Sequence, residues 1–391
     1  LSTVNCQLLT VKGGGVILDR RILKYLDFTI IGVVASLICI GLLMVYSTTR
    51  DNAALTQGHQ FKLVERQLIS VIIGLVLGFL LLFADYRISD RMSQLLYSLN
   101  LVMLILVLTP LGTVRNGAQS WLFGFQPSEF AKIILIITLG KYLSEKESLS
   151  SFYNFIGPFL FILPPLVLIL LQPDMGTALV FIFFFLTMLY VAGAPGWKIS
   201  VIILAGVLLL SIVFLAHHFF GTPMFIKEYQ VARLTSFINP ERDPKGSGWN
   251  VRQAVIAVGS GQFFGKGLFR GSQGRLGYLP ENYTDFIFAV LGEETGFIGT
   301  FIVLFLYFTL IWRGFRIGFQ AKDKTGSIIA TGVVSMLLFH ILENVGMNIG
   351  IMPITGIPLP FLSFGGTAMI ANIVAISILS NIWARHQKIM F

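Results

Sequence analysis

The stretch Leu279-Pro-Glu-Asn-Tyr-Thr-Asp-Phe-Ile-Phe-Ala-Val-Leu-Gly-Glu-Glu-Thr-Gly296 places three carboxylates, Asp285, Glu293 and Glu294, at or just inside the start of a long apolar run. A carboxylate at membrane depth costs several kcal/mol unless it lines a cavity or has partners, so the default reading is functional. Such a group can act as general base toward a hydroxyl. At a helix start it can equally do no more than offset the positive end of the dipole. Asp285 is the sharpest candidate, because it should open a helix beside a polar, glycine-rich loop. On that helix Glu293 lies about 12 Å further in and about 80° around, while Glu294 points to the opposite side. The two glutamates therefore read as partners for membrane cations, not as one catalytic pair with Asp285.

Other clusters repeat the theme of charge at the edge of apolar runs. In Gln126-Pro-Ser-Glu-Phe-Ala-Lys132 the proline biases Gln126 away from helix, and Ser128 has the chemistry of a cap. Glu129 and Lys132 share one helix face and can partly neutralise each other, as a structural ion pair or as a substrate contact. Asn116-Gly-Ala-Gln-Ser-Trp121 sets an indole near the membrane interface, where anchoring is the commoner use. Asp174, in Gln172-Pro-Asp-Met-Gly-Thr177, either caps the next helix or lines a cavity. Pro353–Gly366 holds three prolines and three glycines yet is strongly apolar. A non-helical apolar segment at membrane depth must be buried in protein or line a cavity, so it predicts a re-entrant wall. Glu343, Asn344 and Asn348 precede it as a buried, satisfied cluster.

These groups must be positioned by membrane helices. Hydrophobic residues make up 55% of the 391 and charged residues only 12%. A soluble chain needs about twice that charge. The reading is an all-α, polytopic membrane protein with ten spans: 27–47, 67–84, 94–111, 129–143, 154–171, 175–192, 198–219, 285–312, 327–350 and 364–384. Residues 1–26 and 385–391 are tails, and 220–284 is a large loop between spans seven and eight. With the N-terminus inside, cytoplasmic segments carry fifteen Lys and Arg against four in the short outer loops. That asymmetry predicts both termini in the cytoplasm and the large loop outside. The net charge of +9 is thereby explained without nucleic acid. Cys6 and Cys39 suggest no disulfide, the five histidines show no metal spacing, and the polar, basic start does not resemble a cleavable signal.

The loop Gly221–Thr284 contains a turn-rich Asn239-Pro-Glu-Arg-Asp-Pro-Lys-Gly246, an amphipathic Trp249–Val258, and Gly259-Ser-Gly-Gln-Phe-Phe-Gly-Lys-Gly267. Its eight cations either attract lipid head groups or, through Lys266, Arg270 and Arg275 beside glycine turns, hold a diphosphate-bearing lipid.

Taken in order, these motifs resemble the SEDS family (shape, elongation, division, sporulation), over about Asp27 to Arg385. The likeness rests on Gly117–Trp121, Gln126–Lys132, Gln172–Thr177, Gly265-Lys-Gly267, Leu279-Pro-Glu with Thr284–Ala289, Glu293-Glu-Thr-Gly296, Gly346-Met347, and Gly356-Ile-Pro-Leu-Pro360 with Ser363-Phe-Gly-Gly366. Asn239–Pro244 also looks like the family, and Gly271-Ser-Gln273 looks like its elongation branch. The chain departs from many relatives at Ser120 (Arg), Asn239 (Asp), Tyr283 (His) and Phe364 (Tyr). Ser120 leaves one cation fewer for a diphosphate.

The resemblance implies a ten-span enzyme of the bacterial cytoplasmic membrane that polymerises lipid II into glycan strands during elongation. Its expected partners are a class B penicillin-binding protein supplying the transpeptidase, the elongation machinery and membrane lipids. Asp285 matches the essential aspartate of the family, and Trp121, Glu129, Lys132 and Asp174 match function-sensitive positions. Gln126, Lys266, Arg270 and Ser363 complete the expected substrate contacts. A divalent cation, Mg or Mn, could share the diphosphate, although no ligand cluster marks its place. The alternatives are a transporter for the same lipid-linked precursor, which broken spans also suit, and a non-catalytic scaffold for the penicillin-binding protein.

Overall fold

The computed structural model describes residues 25–50, 59–115, 118–220, 237, 243, 246–272 and 278–386. Cys6, Arg20, Arg21 and Lys24, Asn116 and Gly117, Asn239–Arg242, Pro244, Lys245, Gln273, Arg275 and Lys388 lie outside the described residues.

The chain is a helical bundle. Its long helices are α1 (Phe28–Thr49), α2 (Lys62–Phe83), α3 (Asp90–Leu108), α4 (Pro127–Ser144), α5 (Ile156–Leu171), α6 (Met175–Val191), α7 (Gly196–Phe220), α9 (Ile287–Gln320), α10 (Lys324–Asn348) and α11 (Gly366–His386). A shorter α8 (Ser247–Ser260) lies within the 220–284 loop. Seven helices among the described residues are long and apolar enough to cross a membrane, and α6 and the first part of α7 are shorter apolar helices. Helix α4 is set apart by Glu129, Lys132 and Lys141. The protein is a multi-pass membrane protein. Side-chain caps start several helices: Asp27 accepts from Thr29 N and Ile30 N, Ser89 from Met92 N, and Asp323 from Gly326 N.

Helices α10 and α11 form the centre, with 72% and 78% of their most apolar stretches buried, against 17% in α3. The lipid-facing remainder of α2, α3 and α7 is apolar because hydrocarbon, not water, surrounds it. Helix α10 packs on α4, α6, α8, α9 and α11, and so touches most of the helices around the site.

Three span boundaries near the site differ from the sequence reading, and the re-entrant segment agrees with it. The third span stops at Leu108, because Pro110 and Gly112 turn the chain into an antiparallel hairpin, β1 (Gly112–Arg115) with β2 (Ala118–Leu122). The fourth begins at Pro127, a proline at the first helical position, where its missing N–H is of no consequence. Gln126 is at the cap position and makes no side-chain cap bond; the Ser128 hydroxyl has no partner and caps nothing. The eighth begins at Ile287, two residues after Asp285, and is broken at Gly296 (φ 66°, ψ −161°). The 353–366 segment is non-helical and buried, with Leu359, Phe361 and Leu362 at most 1% exposed.

Candidate active site

Asp285 sits in a turn, not in a helix. Glu281, at φ 52°, lets its carbonyl accept from the amides of Thr284, Asp285 and Phe286. The helical angles expected between Asp285 and the glutamates therefore do not apply. Three consecutive carbonyls of the turn are tied to neighbouring elements. Tyr283 O accepts from Phe364 N at 2.9 Å, and Thr284 O from Ser363 Oγ at 2.6 Å. Asp285 O accepts from Asn344 Nδ2 at 2.9 Å and Asn348 Nδ2 at 3.1 Å. Phe286, at the cap position of α9, has no capping side chain, and Asn348 Oδ1 takes the amide of Ala289 from the neighbouring helix instead.

The apolar 353–366 segment closes over this turn. Asn344 Nδ2 also donates to Ile357 O at 2.8 Å, and Thr355 Oγ1 donates to Glu343 Oε1 at 2.6 Å. Gly356 lies against Asp285: a Cβ added there would stand 3.4 Å from Oδ2. Ser363 is engaged twice within the protein, accepting from Leu359 N and donating to Thr284 O, so it shapes the site's floor. Gln67 of α2 grips the same segment through Ser363 O and Gly365 N. Burial, with Glu281 and Asp285 nearby, holds the Tyr283 phenol above the usual tyrosine range.

A second charged cluster lies inside the bundle. Lys132 Nζ is 2.8 Å from Glu129 Oε1 and 3.0 Å from His340 Nε2 of α10, all three side chains being buried. The Glu129–Lys132 pairing follows from the i, i+3 spacing. His340 was missing from the sequence reading. The signal for it was its spacing: His340, Asn344 and Asn348 recur every four residues, one polar stripe along an apolar helix. The amide of Gln126 donates to Thr367 Oγ1 and so ties the start of α4 to α11. Asp174 caps α6 through Thr177 N and Thr177 Oγ1. The start of α6 nonetheless packs beside the site, since a Cβ on Gly176 would meet Ile357 and Thr355. Trp121, half-buried on β2, pairs opposite Thr113.

The loop cations divide. Lys266 Nζ is 2.6 Å from Glu293 Oε1 and 2.9 Å from Ser272 Oγ, so its charge is committed within the protein. Arg270 is exposed. Glu294 accepts from Ser47 Oγ of α1 and from Phe269 N. Both glutamates thus fasten the 261–272 loop to the break in α9. Among the described residues no three His, Cys, Asp or Glu side chains converge as metal ligands.

The profile of the FtsW/RodA/SpoVE cell cycle proteins matches residues 28–388. The chain belongs to this family. Stage V sporulation protein E of Bacillus subtilis (strain 168) is 39% identical, over 93% of this chain and 98% of its own length. Peptidoglycan glycosyltransferase RodA of Treponema pallidum (strain Nichols) is 33% identical, over 92% and 98% of the two chains. A family fold solved in a peptidoglycan synthase complex, described as coordinating polymerization and crosslinking, superposes with a TM-score of 0.75 at 28% identity, covering 93% of this chain and 99% of the other. The rod shape determining protein RodA of Thermus thermophilus gives 0.66 at 27% identity, covering 93% and 98%. Family membership accounts for the whole bundle, from α1 to α11.

Proposed function

We propose that this protein is a peptidoglycan glycosyltransferase that polymerises lipid II at the outer face of the bacterial cytoplasmic membrane. The observation that carries the reading is a carboxylate, Asp285, on a turn pinned at three carbonyls, with a buried Glu129–Lys132 pair held further along the same face of the central helix. Relatives named peptidoglycan glycosyltransferase support it.

In the reaction, Asp285 takes the proton of the acceptor sugar hydroxyl as that oxygen attacks the anomeric carbon of the donor. The bond from that carbon to the lipid diphosphate breaks, and the diphosphate leaves with the electron pair. Charge grows on the departing oxygens, where exposed Arg270 opposes it together with the remaining N–H of Lys132, whose charge Glu129 partly offsets. The proton on Asp285 then passes to water. A divalent cation, Mg or Mn, would come with the diphosphate and neutralise part of its charge. The undecaprenyl tail stays in the bilayer throughout. A class B penicillin-binding protein supplies the crosslinking partner, a reading supported by the synthase complex among the structural neighbours.

Purified protein with lipid II tests the proposal. The parent yields glycan ladders on a gel, and Asp285→Asn loses about 100-fold or more in rate while remaining folded. An Asp285→Asn protein that still polymerises sinks the assignment, and lipid II crossing vesicles without ladders would assign a transporter. The elongation role rests on Gly271-Ser-Gln273, and depletion should round the cells. A spore-envelope defect in normal rods would assign the sporulation branch instead.

A further inference from the structure

His340 is a buried titratable group that the proposed reaction leaves unused. It is 3% exposed, and its Nε2 lies 3.0 Å from Lys132 Nζ. An ammonium has only protons to offer, so Nε2 accepts and the imidazole proton sits on Nδ1. Lys132 therefore gives one N–H to Glu129 on its own helix and one to His340 on α10, with a single N–H direction remaining. A lysine head on a flexible four-carbon stem has no fixed direction by itself. Two acceptors on different helices supply one.

The same helix face reaches the other half of the site. Asn344 stands one turn from His340, about 6 Å along the axis, and it holds Asp285 O and Ile357 O together. Helix α10 is thus a ruler with the lysine at one mark and the carboxylate's turn at the next. We propose that His340 is a positioning residue for glycosyl transfer: it pins the Lys132 ammonium one α10 turn from the anchor of Asp285. Proton acceptance and leaving-group charge then keep a constant separation. The inference rests on the polymerase reading.

Three variants, assayed on lipid II after size-exclusion chromatography and a thermal melt, test it. His340→Phe fills the space without an acceptor and should lower kcat at least tenfold. His340→Gln keeps an acceptor of similar reach and should return to within about threefold of the parent. His340→Asn is polar but one methylene too short, and should fail as Phe does at an unchanged melting point. Where His340→Phe does not fold, the Asn–Gln comparison stands alone. Rescue by Gln and not by Asn supports positioning, because a role in packing or polarity alone would not separate two folded amides. Equal rates for Asn and Gln overturn the inference while leaving the polymerase reading intact. A parent protein that makes no glycan overturns both.

Discussion

Tyr283, Thr284 and Asp285 each give their carbonyl oxygen to a different donor, Phe364 N, Ser363 Oγ and the Asn344–Asn348 amides. Buried carbonyls left unpaired cost about 1–3 kcal/mol each, so the turn has little freedom to rotate its carboxylate away. What remains adjustable is the space in front of Asp285, and Gly356 sets it. Its φ of 78° is left-handed, and a methyl there would rest 3.4 Å from Asp285 Oδ2. Gly356→Ala should cost about 1–2 kcal/mol of backbone strain and, by setting a methyl in contact with the carboxylate and crowding the substrate's approach to it, lower polymerisation at least tenfold. Gly193, at φ 109° with nothing within 4 Å of an added Cβ, offers strain without the crowding. Gly193→Ala should share the fall in melting point and keep the parent's rate. If the two alanine variants polymerise alike, the carboxylate's clearance is not what Gly356 provides.

At the scale of elements, the break in α9 is repaired by the loop before it. Gly296 interrupts the helical ladder, and Lys266 N and Gly267 N donate to Glu293 O and Glu294 O at 2.9 and 3.0 Å. Phe297 N and Ile298 N donate to Gln262 O and Phe263 O, so the helix bonds lost at the break are replaced by loop bonds. Gly265 allows the contact, since its φ is 79° and a Cβ would collide with Glu294 O. Lys266 adds its ammonium to Glu293, which is 0% exposed. Lys266→Met should therefore lower the melting point by several degrees, and adding Glu293→Gln should recover most of it. The loss stays below the roughly 3–5 kcal/mol of a fully buried pair, because Lys266 is 32% exposed. A rise in KM at an unchanged melting point would make Lys266 a substrate cation instead. Hydropathy made the spans legible, and the i, i+3 spacing made the Glu129–Lys132 pair legible. The break was not, because Gly296 in an apolar run looks the same as Gly314, which packs in helical continuity against Val334. Nor was the partner of Asn344 and Asn348, because a backbone carbonyl brought in from 59 or 63 residues away leaves no mark in local sequence.

Across the whole molecule, the two ends of the bundle differ in charge and in what they hold together. Away from the Asp285 end, Arg313 pairs with Asp27, Lys141 with Asp90 and Glu145, and Arg385 with Asp85, while Lys324 donates to Lys146 O. Burial pushes the Asp85 carboxyl up, but Arg87 and Arg385 outweigh it and hold it below the usual carboxylate range. Asn381 and Arg385 of α11 take the last carbonyls of α2, joining the two helices at that end. Asp27 and Trp383 line one cleft, so α1 begins and α11 ends on the same side. By the positive-inside rule we propose that this end, rich in Lys and Arg, lies in the cytoplasm and that Asp285 lies outside. Single cysteines in a background lacking Cys6 and Cys39 decide the matter. Tyr278, 48% exposed beside the Asp285 turn, and Phe319, 88% exposed near the arginine end, are suitable positions. A membrane-impermeant maleimide should label Tyr278→Cys in intact cells and Phe319→Cys only after permeabilisation. The reverse pattern would place the carboxylate on the cytoplasmic side and remove it from any role in extracytoplasmic glycan synthesis.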